Sequence, residues 1–240
     1  MTDNTPTFHH LNNSQSQRIL WLLEELSTPY TLQHHTRNPA SHPTAPFGAP
    51  PSLASLGPKG KAPLLVTGAR DGHRYIPESL AIATYLIRTF DVSDKFGLRN
   101  GDWIRDEMLI SMLLTELGFS STVMLMLDFQ SIGNGSGARG KMFDGPALRK
   151  GLGDLEKELK NGPEGGFFMG NHPGRADIMA EFPVALIRQR GWVDLATEFP
   201  ALNEWLERCY ERPAWRRCME KGNGYDLTTF PKKEHLQVNL

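Results

Sequence analysis

Residues 7–26 read TFHHLNNSQSQRILWLLEEL, and within this stretch one periodicity gives way to another. Thr7–Leu11 is a short strand pattern, ended by the polar cluster Asn12-Asn13-Ser14. Ile19, Leu22, Leu23 and Leu26 then recur at helical spacing, with Glu24 and Glu25 on the other face. Thr28-Pro29 stops the helix and Tyr30–His34 reads as the next strand. Further on, Asn38–Gly57 is rich in Pro, Ala, Ser and Gly and predicts loop with one helical turn. Pro63–Val66 and Arg74–Ile76 read as a strand pair joined at Gly68–Gly72. Ser79–Phe90 returns to helical period through Leu80, Ala83, Leu86, Ile87 and Phe90.

The order is β-α-β-(α)-β-β-α. Two strands joined through a helix should be parallel, and the hairpin that follows antiparallel, which is a thioredoxin-like layout. Asp91–Gly101 is polar and turn-rich, and a boundary is expected there. Beyond it no strand pattern stands out. Trp103–Asp128 predicts one long helix, Ile132–Gly140 a Gly/Ser break, and Pro146–Leu159, Asp177–Arg190 and Leu202–Glu211 three further helices. The expected architecture is an α/β thioredoxin-like domain over 1–90, a linker over 91–101, an all-helical domain over 102–222 and a tail over 223–240.

The bulk properties exclude several classes. The chain has 240 residues, with 26 Lys and Arg against 27 Asp and Glu. A near-neutral chain lacks the electrostatic footprint of a nucleic-acid binder. No apolar run approaches the roughly 20 residues needed to cross a bilayer, and Met1–Phe8 has no signal-peptide pattern. The only cysteines, Cys209 and Cys218, cannot build a disulfide framework, so a cytoplasmic location is expected. None of the eight histidines has metal-ligand spacing, and no metal is expected.

Three places carry candidate chemistry, each with two readings. Ser14 stands where strand gives way to helix; it is either an N-cap or a donor to a thiolate held over the helix terminus. Lys61-Ala62-Pro63 heads the third strand. Pro63 either opens that strand in trans or follows a cis bond that turns the Ala62 main chain toward a ligand. Pro77-Glu78-Ser79 precedes a helix and supplies either caps or a site for a group bearing both carboxylate and ammonium.

Together these segments resemble the glutathione transferase family. HHLNNSQSQRILWLLEEL (9–26) looks like the opening of fungal and bacterial members. GKAPLL (60–65) resembles the family's cis-proline segment, PESLAIATYL (77–86) its γ-glutamyl-binding segment, and GRADIMAEFP (174–183) the helix in which an aspartate closes a capping box. The resemblance runs from about Thr7 to Lys221, in the family's order and spacing.

That resemblance implies a cis Ala62-Pro63 bond and glutathione as co-substrate. It also implies a serine-type site with Ser14 stabilising the thiolate, Asn13 its rival and Ser16 a third candidate. Ala62 and Pro63 would hold the cysteinyl unit, and Glu78 and Ser79 the γ-glutamyl end. Lys61, Arg37 or His35 would face the glycyl carboxylate. The thiolate would attack a hydrophobic electrophile in a pocket drawn from Glu107, Leu114, Thr115, Phe119, Ser120 and Met124, in detoxification or secondary metabolism. The tail, with Tyr225 and Phe230, is expected either to cover that pocket or to fray. The family also implies a homodimer. An isomerase, lyase or peroxidase using glutathione, or a non-catalytic glutathione binder, are the alternatives. Three features depart from the family pattern: Gln15 where relatives usually carry Arg, Gly174 in place of a hydroxyl cap, and a longer stretch at Ala40–Gly48.

Overall fold

Strand β1 (Thr7–Leu11) pairs in parallel with β2 (Thr31–His35), Thr7 opposite Thr31 and Leu11 opposite His35, because helix α1 (Ser16–Leu26) carries the chain back between them. The computed structural model describes residues 4–57, 59–99, 101–130 and 138–231, excepting the side chains of 116, 127–130 and 138–145. On the other side of β1 lies β3 (Leu64–Val66), antiparallel, and beyond it β4 (Tyr75–Pro77), also antiparallel. Among the described residues the sheet has four strands in the order β2-β1-β3-β4. Helix α2 (Pro51–Ala54) is a single turn before β3, and α3 (Ser79–Phe90) follows β4.

Register explains why distant segments converge. His9 faces Leu64, and Leu64 faces Pro77. The end of β1, the start of β3 and the end of β4 therefore share one edge of the sheet. That edge carries Asn12–Ser14, Ala62-Pro63 and Glu78-Ser79.

Helix α1 departs from the amphipathic picture. Every residue from Ser16 to Glu25 is buried, Glu24 at 4% and Glu25 at 5% exposed. The cover is α10 (Pro213–Lys221), a helix that the periodicity did not predict. Glu25 accepts from Arg212, whose Nη2 lies 2.9 Å away, from Lys95 at 3.2 Å and from Trp21 Nε1 at 3.0 Å. Glu24 accepts from Arg217 Nε at 2.8 Å, from Lys221 and from the Tyr30 hydroxyl. Burying two carboxylates is tolerable only because cations meet them. Trp21 meets Trp215 edge-on, with centroids 5.6 Å apart.

The chain forms two compact units, Met1–Leu98 with Glu211–Tyr225, and Arg99–Tyr210 with Asp226–Leu240. Residues 211–222, expected with the helical domain, thus belong to the first unit. The cause is the pairing of Arg212, Arg217 and Lys221 with α1.

In the second unit the expected long helix is two, α4 (Trp103–Met112) and α5 (Phe119–Gln130), joined by a π-helical segment over Leu113–Gly118. Hydroxyls loosen the ladder on both sides of the join. Thr115 Oγ1 donates to the Ser111 carbonyl at 2.7 Å, and Thr122 Oγ1 to that of Gly118 at 2.8 Å. The expectation about membranes also needs correcting. Trp103–Met126 is 24 residues of helix, long and apolar enough to span a bilayer. Core helices share that composition, and here Leu109, Leu113, Leu117, Ser121 and Met124 form a buried stripe, with α4 packed on a later helix, α7 (Arg175–Arg190).

Before α7 comes α6 (Ala138–Asn161), which starts eight residues earlier than Pro146, the expected first residue. Most of the expected break at 132–140 lies outside the described residues. α8 (Leu195–Glu198) and α9 (Pro200–Glu211) follow α7. Asp177, fully buried in α7, accepts from Gly174 N at 2.8 Å, Phe168 N at 3.1 Å and Trp205 Nε1 at 2.7 Å. Burial pushes its carboxyl up to about 6 against the pull of those three donors. The tail does not fray where it is described. Buried Arg190 donates to the carbonyls of Phe230 at 2.8 Å and Pro231 at 2.6 Å, and Gln189 Oε1 accepts from Leu227 N at 2.8 Å. The tail beyond 231 lies outside the described residues.

Candidate active site

The turn between β1 and α1 is built on two hydroxyls. Ser14 Oγ lies 2.7 Å from the Leu11 carbonyl and 2.6 Å from Ser16 Oγ, which lies 2.9 Å from the same carbonyl. Ser16 Oγ accepts from Leu11 N at 3.0 Å, and Ser14 Oγ from Ser16 N at 3.2 Å. Two protons thus serve a triangle of three oxygens. Ser14 could give its proton outward only by leaving its oxygen 2.7 Å from the Leu11 carbonyl with no hydrogen between them. Ser14 and Ser16, two of the three candidates for contacting a thiolate, are therefore both engaged in shaping the turn.

Asn13, the other candidate, adopts a left-handed conformation with φ 49°, which asparagine tolerates better than most residues. Arg37 clamps the turn from below. Its Nη2 donates to the Asn13 carbonyl at 3.1 Å, its Nε to that of Asn12 at 3.1 Å, and its Nη1 to that of Phe47 at 2.8 Å, while its N–H donates to Asn12 Oδ1 at 2.8 Å. Burial lowers its pKa to about 10, which still leaves a cation at neutral pH. Expected to face a glycyl carboxylate, the Arg37 guanidinium binds main-chain carbonyls, and so links the turn to the 38–48 stretch. His35 is likewise engaged. Its Nε2 lies 3.0 Å from His9 Nδ1 and its Nδ1 3.1 Å from Ser52 Oγ, and burial lowers the pKa of both histidines.

The Ala62-Pro63 bond is cis. Pro63 is buried, Ala62 partly so, and Lys61 is exposed. Glu78 begins α3 in a left-handed conformation, φ 72°, and its carboxylate accepts from Lys59 at 2.6 Å. Ser79 is buried, and its Oγ accepts from Arg18 Nη2 at 2.9 Å. Arg18 also donates to Gln15 Oε1, so a buried guanidinium sits between the starts of α1 and α3. The charge that sequence reading found missing at Gln15 is supplied three residues later. Lys59 and Arg18 escaped that reading; a cation one helical turn beyond a polar cap was the available signal for Arg18.

The electrophile candidates all fall in the second unit. Thr115 and Phe119 are exposed, one turn apart, with Phe119 63% exposed. Leu114 is exposed as well, and Met124 lies in the buried stripe. Ser120 is also buried, and Glu107 pairs with Arg175, which also bonds Asp106.

Comparison with known proteins agrees with this geometry. Residues 14–89 match the family described as glutathione S-transferase, N-terminal domain, and 139–213 the corresponding C-terminal domain. Glutathione S-transferase 3 of Schizosaccharomyces pombe is 42% identical over 94% of this chain and 91% of its own length. A glutathione S-transferase from Actinobacillus pleuropneumoniae superposes with a TM-score of 0.74 at 25% identity, over 97% of this chain and 99% of that one. A Phanerochaete chrysosporium glutathione transferase, solved with oxidized glutathione, shares the fold with a TM-score of 0.70 at 19% identity, over 91% and 95% of the two chains.

Proposed function

Since the chain belongs to the glutathione S-transferase family, we propose that it binds glutathione on the first unit and transfers its thiolate to a hydrophobic electrophile. The observation that carries this reading is the convergence at one sheet edge of the Asn12–Ser14 turn, the cis Ala62-Pro63 bond and Glu78-Ser79. The Ala62 main chain takes the cysteinyl unit. Glu78 pairs with the γ-glutamyl ammonium. Ser79, whose lone pair already accepts from Arg18, gives its proton to the γ-glutamyl carboxylate. Exposed Lys61 faces the glycyl carboxylate in place of Arg37.

Asn13 is the thiolate donor in this reading, because its carboxamide has two N–H donors while the Ser14 proton is engaged within the turn. A free thiol of pKa about 8.5 is mostly protonated at neutral pH, so donors that favour the anion raise the nucleophile's concentration. The sulfur electron pair then forms the C–S bond as the electrophile's leaving group departs or its double bond takes the charge. Among the electrophile candidates, Thr115 and Phe119 are the exposed pair. A cytoplasmic homodimer without a membrane span, acting in detoxification or secondary metabolism, completes the proposal; light scattering tests the dimer.

Ultraviolet difference absorbance with saturating glutathione, followed across pH, tests the core claim. The expected thiolate band has an apparent pKa clearly below about 8.5, and rises toward it in Asn13→Ala more than in Ser14→Ala. A band that appears only at the free-thiol value overturns activation. Consumption of glutathione, with a product that carries the glutathionyl group as a thioether, separates transfer from isomerisation.

A further inference from the structure

The main chain of Asn13 is gripped from two directions by residues distant in sequence. Arg37 takes its carbonyl, and its N–H donates to the Gly224 carbonyl at 3.0 Å. The segment presenting that carbonyl is itself tied down. His34 Nε2 lies 2.8 Å from the Lys221 carbonyl, Asn223 Nδ2 donates to the His35 carbonyl at 2.9 Å, and Tyr225 meets Trp215 edge-on with centroids 5.9 Å apart. These anchors fix the end of β2 and the segment after α10 as one piece.

Gly224 is required here for its backbone. Its φ is +119°, a region that residues with a Cβ rarely adopt, yet an added Cβ would meet nothing nearer than Asn13 Oδ1 at 3.9 Å. An alanine would fit the space but not the conformation, so it would turn the carbonyl away without filling the site.

We infer that Gly222–Tyr225 is a positioning element for the reaction: it and Arg37 hold Asn13 in the left-handed conformation that aims its carboxamide at the glutathione sulfur. The inference rests on the assignment of Asn13 made above. Neither Gly224 nor Asn223 contacts the reacting atoms; both act through Asn13.

The test uses the full-length chain with Gly224→Ala and, in case that variant fails to fold, Asn223→Ala. Three quantities are read: hydrogen exchange of the Asn13 amide, the thiol pKa of bound glutathione, and the Kd for S-methylglutathione, which has no thiol. Expected are exchange about tenfold faster or more and a bound-thiol pKa moved back toward about 8.5. The S-methylglutathione Kd should change by less than about threefold. A folded variant that keeps wild-type exchange or wild-type thiol pKa overturns the inference, as does one that loses S-methylglutathione binding along with the pKa shift. Should the wild type never lower the thiol pKa, the assignment of Asn13 falls, and with it the positioning role; the exchange rates then still decide whether the Gly224 clamp exists.

Discussion

Helices α1 and α3, whose starts meet the ligand in the proposed reading, begin differently from α4, α7 and α8 of the second unit. The residues before them, Gln15 and Glu78, make no side-chain cap among the described residues, and the acceptor at the start of α1 is the neutral Ser14 hydroxyl, which takes Ser16 N at 3.2 Å. In the second unit, Asp102 accepts from Arg105 N at 3.0 Å before α4, Asp194 accepts from Thr197 N before α8, and Asp177 closes the start of α7. A helix start has unsatisfied N–H groups and a positive dipole end. Where the chain supplies its own carboxylate, that end is closed. Where it does not, the end favours an incoming anion. The first-unit helix α10 also has no carboxylate at its start among the described residues, but Pro213 at its first position removes a donor instead.

The comparison can be broken, and the largest effect tests it hardest. Asp177→Ala leaves three buried N–H donors without an acceptor and should cost about 3–5 kcal/mol, read as a lower urea midpoint. A loss under about 1 kcal/mol would mean that α7 does not depend on its own carboxylate.

The second effect has opposite signs in the two units. Burial, aided by His34, lowers His10 to about 4. The unfolded chain takes that proton near 6.5, so the His10 contribution is complete above that pH and lost as pH falls toward 4. Linkage puts the loss at roughly 2 kcal/mol by pH 5. Asp177, raised to about 6, behaves oppositely: its contribution is complete below its unfolded value and lost as pH rises through 6. Urea unfolding at pH 5 and pH 7 should show a smaller acid loss in His10→Asn and a smaller acid gain in Asp177→Asn. Equal responses in both variants would erase the contrast.

Smaller effects sharpen the distinction. Ser79→Ala should weaken glutathione binding about tenfold, or 1.4 kcal/mol; it also takes an acceptor from buried Arg18 and should cost about 1–2 kcal/mol of stability, and calorimetry and thermal melts separate the two. A stability loss comparable to that of Asp177→Ala would make Ser79 structural. Asp102→Ala, at an exposed cap, should cost about 0.5–1 kcal/mol with no change in binding.

Much of the first unit was legible in sequence because its signals are local. Alternating and helical periods placed β1, α1, β2 and α3, and the order of elements fixed the parallel and antiparallel pairings. What escaped depends on partners far along the chain. Glu24 and Glu25 read as a polar face, since nothing near them announces Arg212, Arg217 and Lys221. Ser14 read as a cap or a donor because the pull of the Leu11 carbonyl is a matter of turn geometry, not composition. Arg37 read as a ligand-facing cation, whereas its planar fork matches converging carbonyls that only the folded turn creates.

The return of residues 211–225 to the first unit has a consequence for how the chain is made. A ribosome releases the N-terminal residues long before α10, so during synthesis Trp21, Glu24 and Glu25 wait uncovered for partners that emerge much later. Domains made N-terminus first normally fold as they appear; this one must stay open, or incompletely closed, until α10 has emerged. A stop codon just before Arg212 would leave every strand of the sheet in place and yet deprive the first unit of the helix that covers α1.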